Sequence, residues 1–179
     1  MKRKIKITLI LVTSLDGKTT KEKSENPIVW SSAEDQQYFQ SQILRNNLIV
    51  MGRVTYQAAK PMIKLEEGKR RIVMTRHPKD FKKEEVSGKV EFSSETPGEL
   101  VEKMGKEGYK NLLLVGGSSV STQFLKAKLI DEIWLTIEPK IFGVGRGLVD
   151  EIKFDVQLSL LKIEKLNKNG TLLLKYEVK

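Results

Sequence analysis

Residues 49–56 read IVMGRVTY: an apolar run closes on a glycine, an arginine and a threonine. A run with no polar alternation has the pattern of a strand covered on both faces. The turn behind it presents a fixed cation beside a hydroxyl. Such a turn is either a plain strand-to-helix connection or the receiver of an anion, and the rest of the chain must decide.

Working outward, apolar runs of strand length recur at residues 5–12, 48–51, 71–74, 90–92, 112–115 and 132–137. Helical patterns separate them. Ser31-Ser32-Ala33-Glu34 reads as a capping box, and Tyr38, Phe39, Ile43 and Leu44 then supply an apolar stripe. Further helices are expected over residues 97–106 and 119–127. This alternation predicts an α/β domain with a mostly parallel central sheet. Near the end, the strand-like stretches 158–166 and 171–178 flank Lys168-Asn169-Gly170, and Asn-Gly in that setting signals an antiparallel hairpin. With no repeat, linker or low-complexity tract, residues 1–179 read as a single domain.

Composition narrows the function. The chain holds no cysteine and one histidine, His77, which excludes thiolate metal sites and argues against an imidazole-rich one. A net charge of +9 suits an anionic ligand or a solvated lysine surface. Few aromatics interleave with the lysine clusters at residues 2–6 and 79–83, so no nucleic-acid partner is expected. The first apolar run is short, contains Thr8 and leads into a polar turn without a cleavage site. No segment approaches the roughly 20 apolar residues of a membrane span. A cytoplasmic protein with no membrane partner is the expectation.

In open α/β sheets, ligands bind beyond the carboxyl ends of the strands. Four such ends carry unusual residues: Thr13-Ser14-Leu15-Asp16-Gly17-Lys18, Gly52-Arg53-Val54-Thr55, Thr75-Arg76-His77-Pro78 and Gly116-Gly117-Ser118-Ser119. Glycines admit a phosphate close to backbone amides at a helix start, and arginine beside a hydroxyl suits a second phosphate. No G-x-G-x-x-G follows the first strand, so a dinucleotide would be held in another way.

Taken together, TSLDGK, WSSAEDQQYF, VMGRVTY, VMTR, LLVGGSSVSTQFL and LIDEIWLTIEPKIFGVGRGL resemble the dihydrofolate-reductase-like superfamily. Within it the chain is similar to the riboflavin-biosynthesis reductases, the C-terminal domain of the bifunctional deaminase/reductase RibD. The resemblance covers nearly the whole length. It implies a three-layer dihydrofolate-reductase-like fold, a homodimer, and NADPH as cofactor for a small-molecule substrate. Gly52, Arg53, Val54 and Thr55 would touch its phosphates, and Thr75 and Arg76 would read the 2′-phosphate. Gly116, Gly117, Ser118, Ser119 and Val120, preceded by Val115, would cradle the pyrophosphate, with the Gly-Gly bond often cis. Val12, Thr13 and Gly17 would border the nicotinamide.

On the substrate side, Asp16, Ser14 and Glu138 match positions that face substrate in the riboflavin branch, although Asp16 also reads as an Asp-Gly turn residue. Asp35, Phe39 and Thr136 match a carboxylate, its packing phenylalanine and its supporting threonine in dihydrofolate reductases. An acidic residue in a first helical turn is also favoured by the helix dipole alone. Catalysis is expected from Asp35 and Asp16. The implied reaction reduces the ribosyl group of 5-amino-6-(5-phosphoribosylamino)uracil, or a related pyrimidine, to ribityl. A dihydrofolate or pteridine reductase is the alternative, as is a nucleotide-binding module without catalysis. Lys69 stands where folate enzymes carry an arginine, and Val115 where the riboflavin branch carries a glutamate.

Overall fold

A computed structural model describes residues 5–21 and 26–179. Residues 2–4 of the first lysine cluster lie outside them. Eight strands form one sheet in the order β4-β3-β2-β5-β1-β6-β8-β7. They are β1 (Lys6–Ser14), β2 (Leu48–Gly52), β3 (Arg70–Met74), β4 (Val90–Ser93), β5 (Asn111–Leu114), β6 (Glu132–Glu138), β7 (Leu158–Lys165) and β8 (Leu172–Val178). Each pairing from β4 through to β6 is parallel, and β8 runs against both β6 and β7.

The helices are α1 (Ala33–Arg45), α2 (Arg53–Ala59), α3 (Pro97–Lys106) and α4 (Ser118–Lys126). Strand alternation sends side chains to two cores, which is why the central runs read as continuously apolar. Ile7, Leu9, Val50, Ile72 and Leu114 pack with Leu100 and Met104 of α3 and Phe124 of α4. Ile10, Ile49, Val73 and Leu113 pack with Tyr56 of α2 and with Tyr38, Phe39 and Ile43 of α1. Helix, sheet and helix make the three expected layers.

Three local expectations change. Ser32, not Ser31, is the N-cap of α1: its hydroxyl accepts the N–H of Asp35, so Asp35 rather than Glu34 occupies the third helical position. Leu44 falls off the apolar stripe and is 64% exposed, because α1 turns that face outward in its last turn. No peptide bond among the described residues is cis, so Gly116-Gly117 meets its turn through positive φ values of 88° and 43° instead.

The hairpin forms as predicted. Asn167 accepts the N–H groups of Asn169 and Thr171 on its side-chain oxygen, and Gly170 takes φ 100°.

Candidate active site

The carboxyl ends of β2, β3 and β4 and the start of α4 open into one cleft of about 930 Å³. Its floor joins Gly52, Arg53, Val54 and Thr55 to Gly117, Ser118, Ser119 and Val120. Two helices begin there without a side-chain cap, since Gly52 and Gly117 hold the cap positions of α2 and α4. Neither first turn carries an acidic residue. The free N–H groups at the start of α4 therefore face the cleft uncompensated.

Close packing accounts for the glycines. The N–H of Gly52 donates to Gly116 O at 3.0 Å, and a Cβ on Gly116 would sit 2.8 Å from Leu11 Cδ2. Thr75, Arg76 and His77 continue the cleft beyond β3, beside Ser93, Ser94 and Glu95.

Three arginines, Arg53, Arg76 and Arg146, and three carboxylates, Glu95, Asp150 and Glu151, line the walls. Arg53 binds only Gln57 of its own helix, at 2.9 Å, and no ion pair among the described residues uses Arg53 or Arg76. Sequence reasoning missed the fourth wall, formed by Gly145, Arg146, Gly147, Val149, Asp150 and Glu151 with Gln123. Its only signal was the GVGRGL stretch, whose distance along the chain hides its proximity. Conversely, Val12, Thr13, Gly17, Val115 and Gly116 are not among the residues that line the cleft.

A second constellation lies at the end of β1 and β6. Register pairs Val12 with Thr136, Thr13 with Ile137 and Ser14 with Glu138. Asp35 is 6% exposed, and Thr136 and Ser31 donate to its carboxylate. Burial pushes its pKa up to about 6 against those hydrogen bonds, with the nearby Glu138 charge adding a smaller upward push. Glu138 is fully committed: Oε1 accepts the N–H of Ser32 at 2.7 Å, and Oε2 accepts the Thr171 hydroxyl at 2.8 Å. Phe39 packs against the second core.

Asp16 behaves differently. Its side chain is exposed, and hydrogen bonds from Ser14, Phe142 and Gly143 hold its pKa down at about 2. These bonds make Ser14 and Asp16 a fastening between the β1 turn and the segment after β6. Lys69 departs from the folate pattern for a visible reason. It is buried, and its ammonium donates to the carbonyls of Ile43, Leu44 and Asn46 at the end of α1.

Residues 5–172 match the RibD C-terminal domain along almost all of this architecture. The chain belongs to the RibD C-terminal domain family. One relative is the Bacillus subtilis protein YwjB, 26% identical over 160 residues that cover 87% of this chain and 88% of that one.

Solved structures share the fold at low identity. The diaminohydroxyphosphoribosylaminopyrimidine deaminase/5-amino-6-(5-phosphoribosylamino)uracil reductase of Thermotoga maritima superposes with a TM-score of 0.74 at 17% identity. The match covers 98% of this chain and 57% of that bifunctional one. A dihydrofolate reductase from Enterococcus faecalis, complexed with NADP(H), superposes with a TM-score of 0.66 at 20% identity, covering 97% of this chain and 96% of that one.

Proposed function

We propose that this protein is an NADPH-dependent reductase of the riboflavin-biosynthesis type. Its substrate would be 5-amino-6-(5-phosphoribosylamino)uracil or a closely related phosphoribosylamino-pyrimidine. The observation that carries the reading is the single cleft that collects an uncapped helix start, arginines without carboxylate partners and the Thr75–Arg76 pair. That donor set fits a ligand with several phosphates: backbone N–H groups suit a diphosphate, and a guanidinium beside a hydroxyl suits a terminal monophosphate. No described helix is long and apolar enough to cross a membrane.

When bound, a reduced nicotinamide supplies a hydride. The chain's own residues orient the partners and manage the proton. Gly52, Thr55 and Ser118–Val120 would hold the diphosphate, and Thr75 and Arg76 the 2′-phosphate. Asp35, with a pKa near 6, is poised to hold a proton close to neutrality and release it to a substrate nitrogen or oxygen. Thr136 and Ser31 fix the direction of its carboxyl.

The Asp35–Thr136 bond also favours a second reading, a pteridine or dihydrofolate reductase. Lys69 speaks against it, because its ammonium is occupied inside α1's last turn and offers no clamp to a folate tail.

Thermal shift of the purified protein with NADPH, using NADH as control, tests the cofactor. At one hundred times its dissociation constant a ligand stabilises by about 2.7 kcal/mol. A shift with neither nucleotide would defeat the reading. With NADPH bound, turnover of the phosphoribosylamino-pyrimidine but not of dihydrofolate separates the two substrates.

A further inference from the structure

The wall of the cleft formed by residues 145–151 is strapped down at both ends. The N–H of Thr19 donates to Arg146 O at 2.8 Å, and the N–H of Arg146 donates to the Thr20 hydroxyl at 3.0 Å. At the other end, the N–H of Asp150 donates to the Thr122 hydroxyl of α4 at 2.8 Å. Gly145 makes the first crossing possible, because a Cβ there would lie 2.0 Å from Thr20 O. The strap therefore reaches α4 at Thr122 and lines the same cleft as Ser118, Ser119 and Val120, whose helix start has no side-chain cap.

This mounting presents one cation. Arg146 is the sole charged residue between Lys140 and Asp150. Its guanidinium enters no ion pair or side-chain hydrogen bond among the described residues, although Asp150 and Glu151 line the same wall. Without Arg146 that wall would confront any phosphate with two carboxylates and no compensating charge. With it, a diphosphate seated at the start of α4 meets Arg53 on the β2 side and Arg146 on the strap side.

We propose that Arg146 is a binding residue for the bridging diphosphate of the dinucleotide, acting on NADPH and NADH alike, while Arg76 alone reads the 2′-phosphate. This rests on the dinucleotide reading given above. Because the strap is held through its own backbone N–H and C=O groups, removing the guanidinium should leave the fold intact.

The experiment titrates NADPH and NADH by nucleotide fluorescence into the wild-type full chain, R146Q, R76Q and R45Q, with melting curves for each. Arg45 lies at the end of α1, away from the cleft, and controls for net charge. R146Q should weaken both nucleotides by the same factor, roughly tenfold, with an unchanged melting temperature. R76Q should weaken NADPH selectively, and R45Q neither. If R146Q binds both nucleotides as the wild type does, Arg146 has no such role. A loss confined to NADPH would overturn the diphosphate assignment as well. Should the wild type bind neither nucleotide, the dinucleotide reading itself falls, and this inference with it.

Discussion

The N–H of Gly143 donates to a carboxylate oxygen of Asp16 at 2.8 Å, joining residues 127 positions apart. Phe142 N–H reaches the other oxygen at 3.1 Å, and the Ser14 hydroxyl adds a bond at 2.6 Å. Leu15 N–H to Lys140 O and the T-shaped contact of Phe142 with Trp30 complete a clasp across the end of β1. The edge of the candidate site is thus built by two segments that are each irregular alone.

Asp16→Ala should open this clasp. Amide exchange at Phe142 and Gly143 is expected to accelerate severalfold, with the central strands unaffected. The sign of the pH effect follows from the depressed pKa. The support is complete above the ordinary carboxylate value of 3.8 and is lost as pH falls through about 2. Exchange at both amides unchanged in the variant would show that Asp16 does not hold the segment.

Asp35→Asn should stabilise the protein while slowing turnover. Asp35 has a raised pKa, so the folded state binds its proton more tightly than the unfolded chain, and stability declines as pH rises from 3.8 through about 6. At pH 8 the buried charge is unfavourable by on the order of 3 kcal/mol. The variant should therefore melt higher than the wild type at pH 8, with the difference closing toward pH 3.5. Reduction should slow roughly a hundredfold. An equal melting difference at both pH values would contradict burial of a titrating Asp35.

Lys69→Met tests the polar anchor of α1. Three carbonyls at the helix end would lose their donor, which should lower stability by about 2 kcal/mol in a denaturant melt. Nucleotide affinity should not change, since Lys69 is no part of the cleft. Unaltered stability would mean that water replaces the ammonium without loss.

A second copy is expected along β7. This edge strand exposes Leu158, Leu160, Leu161 and Ile163, the last 59% exposed, and its outer backbone edge faces no other strand among the described residues. Antiparallel pairing centred on Ile163 would set Lys162 of one copy opposite Glu164 of the other. Light scattering should report a dimer for the wild type and a monomer for Ile163→Lys. A monomeric wild type would refute the pairing.

Much of the fold was legible because burial on both faces leaves a one-dimensional trace. The run ending at Gly52 could only be a central strand, and Asn169-Gly170 between apolar stretches could only be a tight turn. Gly52 to Thr55 and Ser118 to Val120 were readable as one site because strand ends in such sheets converge. The N-cap of α1 was misread by one position, because the choice between adjacent serines depends on which hydroxyl reaches Asp35, and Leu44 was misread because α1's last turn faces it outward.

The amino-acid sequence by itself determined the alternation of elements, the parallel sheet closed by a hairpin, and the four strand ends rich in glycine, hydroxyls and arginine. These are local properties: periodicity, turn chemistry and backbone freedom act over a few residues. Only the tertiary structure decided that Asp16 fastens a distant segment, that Glu138 spends both oxygens on Ser32 and Thr171, and that Arg146 joins the cleft. Those outcomes depend on which groups the packed layers bring within hydrogen-bond reach and which they shut away from water. Neither distance nor desolvation is written in the order of the residues.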